Sequence, residues 1–360
     1  MNTIRTRKRF DIVNYLPIIL ALVAVAVIIA IIVAVFSGGG NEIKKNQLLL
    51  LDISAQSNYK TFADGIVYID GEKGELYYVD DRGEKMWGFA GAQEEMLICT
   101  SKKSVGVFLG KKLQVINSDG TLSFSKEFEK NIADVSLGES IIAVKLNLTD
   151  EIIILNKKGD EIDRISSNVN CTNIRFGVYA DNSVWVISVE NSAYKPEYQI
   201  STYKYTTEKT QTVSFREDSQ MIYDAVFNSN LCYIFGTERI LARDCDYTGA
   251  INVDYVVNGF EVSSVGIIDK QIHVLLLGAG RLKAIGGNGV NDIALKERIN
   301  FAVVANKEYY GFSNYFMYKI KPNGKSIQYK FPVRVDKVVQ GNNYVLIQSG
   351  DSLYRYGLEG

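Results

Sequence analysis

The chain has 360 residues, with 40 lysines and arginines against 41 aspartates and glutamates, and a net charge of −1. That balance excludes the basic field on which nucleic-acid binding depends. A composition of 47% hydrophobic and 22% charged residues excludes a disordered chain, and 4 prolines with 11% aromatics suit a sheet-rich protein of one large or two ordinary domains.

The charge is unevenly placed. Arg5, Arg7, Lys8 and Arg9 against Asp11 give the first 36 residues +3, which leaves −4 for the remainder. Leu16 to Phe36 then runs 21 residues without a charge, about 31 Å of helix at 1.5 Å per residue and enough to cross a hydrocarbon core. Pro17 stands in its first turn, where a missing N–H costs little. A cleaved signal peptide would carry a shorter apolar region ending in small residues, and Phe36 stands where a small residue is wanted. The expectation is a cytoplasmic basic tail over 1–15 and a single transmembrane helix over 16–36, with Arg5, Arg7, Lys8 and Arg9 holding the N-terminus inside. Residues 37–47, opening Ser37-Gly38-Gly39-Gly40, read as a flexible linker.

Beyond it, Gly65 to Trp87 reads as an antiparallel meander. Ile66 and Tyr68 alternate with Val67 and Ile69, Asp70 to Gly74 turns the chain, Leu76 to Val79 returns, and Asp80 to Gly83 turns it again. A meander this short cannot bury both faces and needs copies of itself. Turn glycines recur at Gly83, Gly120, Gly159, Gly249, Gly289, Gly324 and Gly360, spaced 37, 39, 90, 40, 35 and 36 residues apart. The interval of 90 holds two units, one lacking its glycine, with Thr206–Lys209 where that turn belongs. In the third unit Ile141–Val144 and Ile152–Leu155 are central strands flanked by Ala133–Leu137 and Glu161–Ile165.

Four strands per unit is a propeller blade, so the fold class is all-β: an eight-bladed β-propeller over 48–360. Strand 48–53, LLLLDI, joins the last blade and closes the ring. A seven-bladed ring with one decayed unit is the alternative.

At these turns Asp80, Gly83 and Trp87 resemble the Asp-x-x-Gly-x-x-x-Trp docking motif of pyrroloquinoline-quinone-type eight-bladed propellers. The resemblance implies that the tryptophan packs between neighbouring blades. Later units keep the polar and glycine positions but not the tryptophan: Asn117, Gly120 and Phe124, then Asn156, Gly159 and Asp163, then Asp246, Gly249 and Val253. With its single N-terminal span, the whole chain also resembles a group of membrane-anchored propeller proteins of Gram-positive bacteria, a group that carries no assigned activity.

Nothing in the sequence assembles a chemical site. His273 is the only histidine, and Cys99, Cys171, Cys232 and Cys245 form no CxxC pair, so no metal site is expected. Cys232 and Cys245 could face each other across a hairpin, but strand register is not fixed by sequence. Gly278–Gly280 and Gly286–Gly289 join strand to strand without the Lys-Ser/Thr of a phosphate loop. Asp70, Glu72 and Glu75 read as a solvated turn. The resemblance to quinone enzymes would imply cofactor and calcium in the central funnel, but no adjacent cysteines or matching acidic ligands stand here. No catalytic residue, cofactor or metal is therefore expected.

What remains is surface. The fourth unit is the longest, and its central strands are separated by Glu190–Tyr198, with Tyr194, Lys195 and Tyr198 as candidate partner contacts. The group Tyr309, Tyr310, Phe312, Tyr315, Phe316, Tyr318 alternates within two strands and reads as blade packing. The expected function is a non-enzymatic scaffold or recognition module at the cell membrane. Its propeller would lie outside the cell and bind envelope or membrane proteins. The alternative is a sensor taking a small ligand or glycan in the central funnel, and a cofactor-dependent enzyme is the third class.

Overall fold

The computed structural model describes residues 41–167, 170–180, 182–191, 195–206, 209–228, 231–244, 251–286 and 289–358. The basic tail and the apolar run 16–36 lie outside them, and among the described residues no helix is long and apolar enough to cross a membrane. The chain divides into a unit Met1–Glu42, of which the short strand Asn41–Glu42 is described, and a unit Ile43–Gly360.

Residues of the third blade show why the larger unit is all strand. Ile141–Leu146 reads IIAVKL and Glu151–Asn156 reads EIIILN, apolar on successive positions because both faces of a central strand are covered. The outer strand Glu161–Ser166 is mostly exposed. Eight such sheets follow one another, each built on four antiparallel strands. Blades 1 to 7 occupy residues 59–90, 97–127, 132–166, 171–217, 222–256, 261–293 and 301–330. Blade 8 takes three strands from 337–357 and a fourth, Leu48–Ser54, from the other end of the unit. The ring has eight blades, and the seven-bladed alternative falls.

Closure follows the expected pairing. Leu48 lies opposite Tyr356, Leu50 opposite Tyr354 and Leu51 opposite Leu353, antiparallel throughout. Leu51 and Ile53 then bury against Ile66 and Tyr68 of blade 1, so one strand completes blade 8 and seals it to its neighbour. The linker expected over 37–47 ends sooner. Ile43 is buried among Val303, Tyr310 and Phe331, and its N–H donates to the Lys330 carbonyl at 3.0 Å. An isoleucine beside a blade gains more from burial than from a tether's freedom.

The first strands of the blades converge on the axis. Thr61 donates to the Gln340 carbonyl and Thr100 to the Thr61 carbonyl, each at 3.3 Å, while the Val178 N–H donates to Ser136 Oγ at 2.9 Å. On one side the ring is drawn tighter. Gln340 of blade 8 reaches past blade 7, accepting from Ser264 Oγ of blade 6 at 2.6 Å and donating to the Val304 carbonyl at 2.6 Å.

The docking expected of Asp80, Gly83 and Trp87 is present. Asp80 Oδ1 accepts from the N–H groups of Arg82 and Glu84, both at 2.9 Å, and Gly83 adopts φ +84°, a conformation that L side chains rarely adopt. Asn156 Oδ1 holds the equivalent turn of blade 3, with Gly159 at φ +84°. A bulge follows three residues after each of these glycines and turns the next side chain toward the neighbouring blade. Trp87 thus lies over Gly120, where a Cβ would stand 2.8 Å from the Trp87 Cβ, and its indole N–H donates to the Ser118 carbonyl at 3.0 Å. Phe124 covers Gly159 in the same way, and Leu49 of the closing strand lies 3.5 Å from the Cβ position of Gly83. Where blade 4 lacks the glycine, the Tyr205 hydroxyl donates to Asp163 at 2.8 Å instead.

Gly324 occupies the same turn position with φ +85° but has nothing within 4 Å of its Cβ position, whereas Gly120 has φ +86° and Trp87 above it. Gly324→Ala is expected to cost only the left-handed strain, about 1 kcal/mol. Gly120→Ala adds the clash with Trp87 and should cost about 2 kcal/mol or more. Urea unfolding of the two variants reads the difference.

Candidate functional site

The long hairpin of blade 4 is the first place to look, and it is more regular than its sequence suggests. Strands Ser183–Asn191 and Pro196–Tyr205 pair along their whole length, from Ser183 opposite Lys204 to Asn191 opposite Pro196. The expected nine-residue loop is therefore mostly strand. Tyr198 stands opposite Val189 and is 5% exposed, packed with Trp185, Ile187 and Ile200. It is a core residue and not a partner contact: the alternation of Tyr198, Ile200 and Thr202 carries the ladder outward and puts the ring on the apolar face. Tyr194 lies outside the described residues. Lys195 is exposed at the hairpin end, and its Nζ lies 2.6 Å from Asp218 Oδ2. That hydrogen bond, then the ammonium charge, hold the Asp218 carboxyl below the usual carboxylate range.

Asp218 begins the linker to blade 5, and from there an apolar strip opens on the same face. Gln220 Oε1 accepts from the N–H groups of Glu238 at 3.2 Å and Arg239 at 2.8 Å, and the Thr237 N–H donates to the Met221 carbonyl at 2.9 Å. The linker is so pinned to the turn of blade 5 that Met221 is left 59% exposed and Tyr223 40% exposed. Beside them lies a cleft of about 470 Å³ lined by Tyr223, Gly236, Thr237, Phe260, Glu261 and Val262. Tyr223 stacks on Phe235 at 6.4 Å between ring centres, and desolvation by the wall raises its hydroxyl pKa. Lys195, Asp218, Met221, Tyr223 and the cleft form one continuous surface over blades 4 to 6.

The axis is polar. Blades 3 to 6 each carry a bulge near the start of the first strand, beside Asp134, Arg175, Asp224 and Ser264. Asp134, Arg175 and Asp224 are exposed there, as is Lys60 of blade 1. Desolvation raises the Asp224 carboxyl's pKa, opposed by the Ala225 N–H and by the charge of Arg175. Cys99 lines the same region with its thiol pushed up to about 12, chiefly by burial, which leaves it protonated and unreactive.

The remaining candidates resolve individually. Asp70 is paired with Lys73 at 2.8 Å and Glu75 accepts from the Tyr77 hydroxyl, so these acids are already engaged. Among the described residues no group of three histidine, cysteine or acidic side chains could hold a metal. Cys171 and Cys232 are buried, and Cys245 lies outside the described residues. Tyr309, Tyr310, Phe312 and Tyr318 are buried as expected of packing residues, while Tyr315 is exposed. His273 is buried, and its Nδ1 lies 2.7 Å from Tyr309 Oη of the neighbouring blade. Sequence reasoning missed Met221 and Tyr223. The signal was present as an apolar pair beside Asp218-Ser219-Gln220, but it carries meaning only once the linker's anchorage is known.

No known protein family and no curated protein matches the sequence. Solved structures match the fold. BamB from Moraxella catarrhalis superposes with a TM-score of 0.56 at 12% identity, over 86% of this chain and 99% of that one. Sqt1 from Saccharomyces cerevisiae gives 0.58 at 10% identity, over 89% and 100%. At such identities the likeness is one of fold.

Burial lowers the His273 pKa from 6.5 by disfavouring the imidazolium. The unfolded chain then takes up the proton at a higher pH than the folded one. Stability is complete above about pH 6.5 and is lost as pH falls through the folded value. His273→Gln is expected to flatten this part of the stability–pH curve between pH 7 and 5, as read by thermal unfolding of the two proteins side by side.

Proposed function

We propose that the chain is a membrane-anchored, non-catalytic scaffold whose propeller lies outside the cell and binds envelope or membrane proteins through the face of blades 4 to 6. The observation that carries this reading is the Met221–Tyr223 strip. Large apolar side chains are exposed there beside an apolar-walled cleft and flanked by charged residues, an arrangement that suits a protein contact better than solvent. The tail Arg5, Arg7, Lys8 and Arg9 before the uncharged run Leu16–Phe36 supports the anchor and its orientation.

A second reading, a small-ligand or glycan sensor at the axis, is favoured by the exposed charges of Lys60, Asp134, Arg175 and Asp224. Exposed carboxylate and guanidinium groups are able to bind polar ligands.

Both substituted positions are exposed, so Met221→Asp with Tyr223→Ser should leave the fold intact. In cross-linked membranes the double variant is expected to co-purify its partners at least about tenfold less than the native chain. An unchanged partner set overturns the interaction face. Topology is read separately: protease added to intact cells should remove the propeller. A propeller protected in cells but cleaved in inverted vesicles overturns the orientation.

A further inference from the structure

On the opposite face, the seam between blades 6 and 7 holds a small cavity of about 170 Å³. Its floor is His273, 6% exposed and the only histidine of the chain. The imidazole is fixed from two sides. Tyr309 Oη lies 2.7 Å from Nδ1, with the rings tilted at 47°. On the other side Gly286 leaves room for the ring, since a Cβ there would stand 2.5 Å from Nδ1 and 2.6 Å from Cε1. With Nδ1 engaged by Tyr309, Nε2 is the nitrogen left for the cavity.

Around it stand Gln271 and Asn291, two exposed primary amides on strands of blade 6 separated by the strand Arg281–Gly286, and the carboxylate of Asp269. Ile268, Pro322 and Tyr309 supply the apolar part of the lining. The rim is held in an unusual backbone. Asp269, Lys270, Asn306 and Lys307, at φ +48°, +68°, +46° and +63°, make two tight turns without glycine. An ion pair, Lys307 Nζ to Asp269 Oδ1 at 2.9 Å, ties one turn to the other across the seam.

We infer that this seam is a binding site for a neutral, hydroxylated ring the size of one sugar. The charge of Asp269 is balanced by Lys307, which removes the preference for an anion or a cation. Two amides and an imidazole nitrogen offer both donors and acceptors, as vicinal hydroxyls require. The half-buried apolar surface of Pro322 suits the C–H face of a pyranose. The cavity is smaller than the usual range for drug-sized ligands, which limits the occupant to a single ring.

The single histidine makes the test direct. The full chain, labelled at histidine, is purified without a histidine tag in a non-glycosidic detergent, so that one imidazole signal reports on the site. Methyl glucopyranoside and N-acetylglucosamine are titrated as free sugars, and chitotetraose as a chain end. A saturable shift of the His273 signal by the monosaccharides assigns a free-sugar site, and a shift by chitotetraose alone assigns a glycan terminus. Asn291→Ala with Gln271→Ala, both exposed, should weaken binding about tenfold through the loss of two neutral hydrogen bonds. No saturable shift with any of the three sugars overturns the inference. So does an equal affinity in the double variant, or a response to inorganic phosphate in place of sugar.

Discussion

Each blade is a sheet with two apolar faces, and neither face can be left in water. The resulting constraint, that every blade must be covered on both sides by another blade, governs the rest of the molecule. Three successive seams meet it with a repeated device: a side chain is laid over the left-handed glycine of the next turn. Leu49, Trp87 and Phe124 do this in succession. On the far side of the ring bulk serves instead. Tyr310, Phe312 and Phe331 bury with Val345 and Ile347 of blade 8, and around Gly324 and Gly289 no side chain approaches within 4 Å of the Cβ position. Both kinds of seam satisfy the same constraint with different residues.

That division explains what could be read in advance. Asp-x-x-Gly turns are specified locally, since aspartate or asparagine accepts from the backbone and glycine supplies the positive φ, so blade number and closure were legible in the sequence. Strand Leu48–Ser54 was legible because an apolar run with no partner beside it must pair elsewhere. Tyr198 was misread because the two-residue period of a strand can continue through polar residues such as Glu190 and Glu197. Only pairing across the hairpin shows that the tyrosine faces the core. The end of the linker was misplaced for a similar reason: Ile43 is one apolar residue among polar ones, and its burial depends on a blade more than 250 residues away in sequence.

The functional surfaces were the least legible part. Met221 and Tyr223 are exposed because Gln220 anchors the linker to backbone groups of blade 5, a contact no local pattern announces. His273 stood out by its rarity, but its surroundings come from two blades, and the glycine that makes room for it is Gly286 on a neighbouring strand. Propellers gather such sites from many short segments, each too brief to carry a recognisable pattern. Fold is therefore written in the repeat, while recognition is written in its irregularities.

The strand that closes the ring is also the earliest part of the ring to be synthesised. Leu48–Ser54 leaves the ribosome before every blade, and its partner Ser352–Gly357 leaves after nearly all of them. Bringing together strands some 300 residues apart carries a loop-closure entropy of about 5 kcal/mol if the chain between is unfolded. Blades formed in the interval shorten that loop and lower the cost. Until the last hairpin emerges, however, a strongly apolar strand stays unpaired through most of translation. Closure by such a distant contact predisposes the chain to slow assembly of the ring, and the nascent protein is most open to pairing with the wrong edge just before the last hairpin emerges.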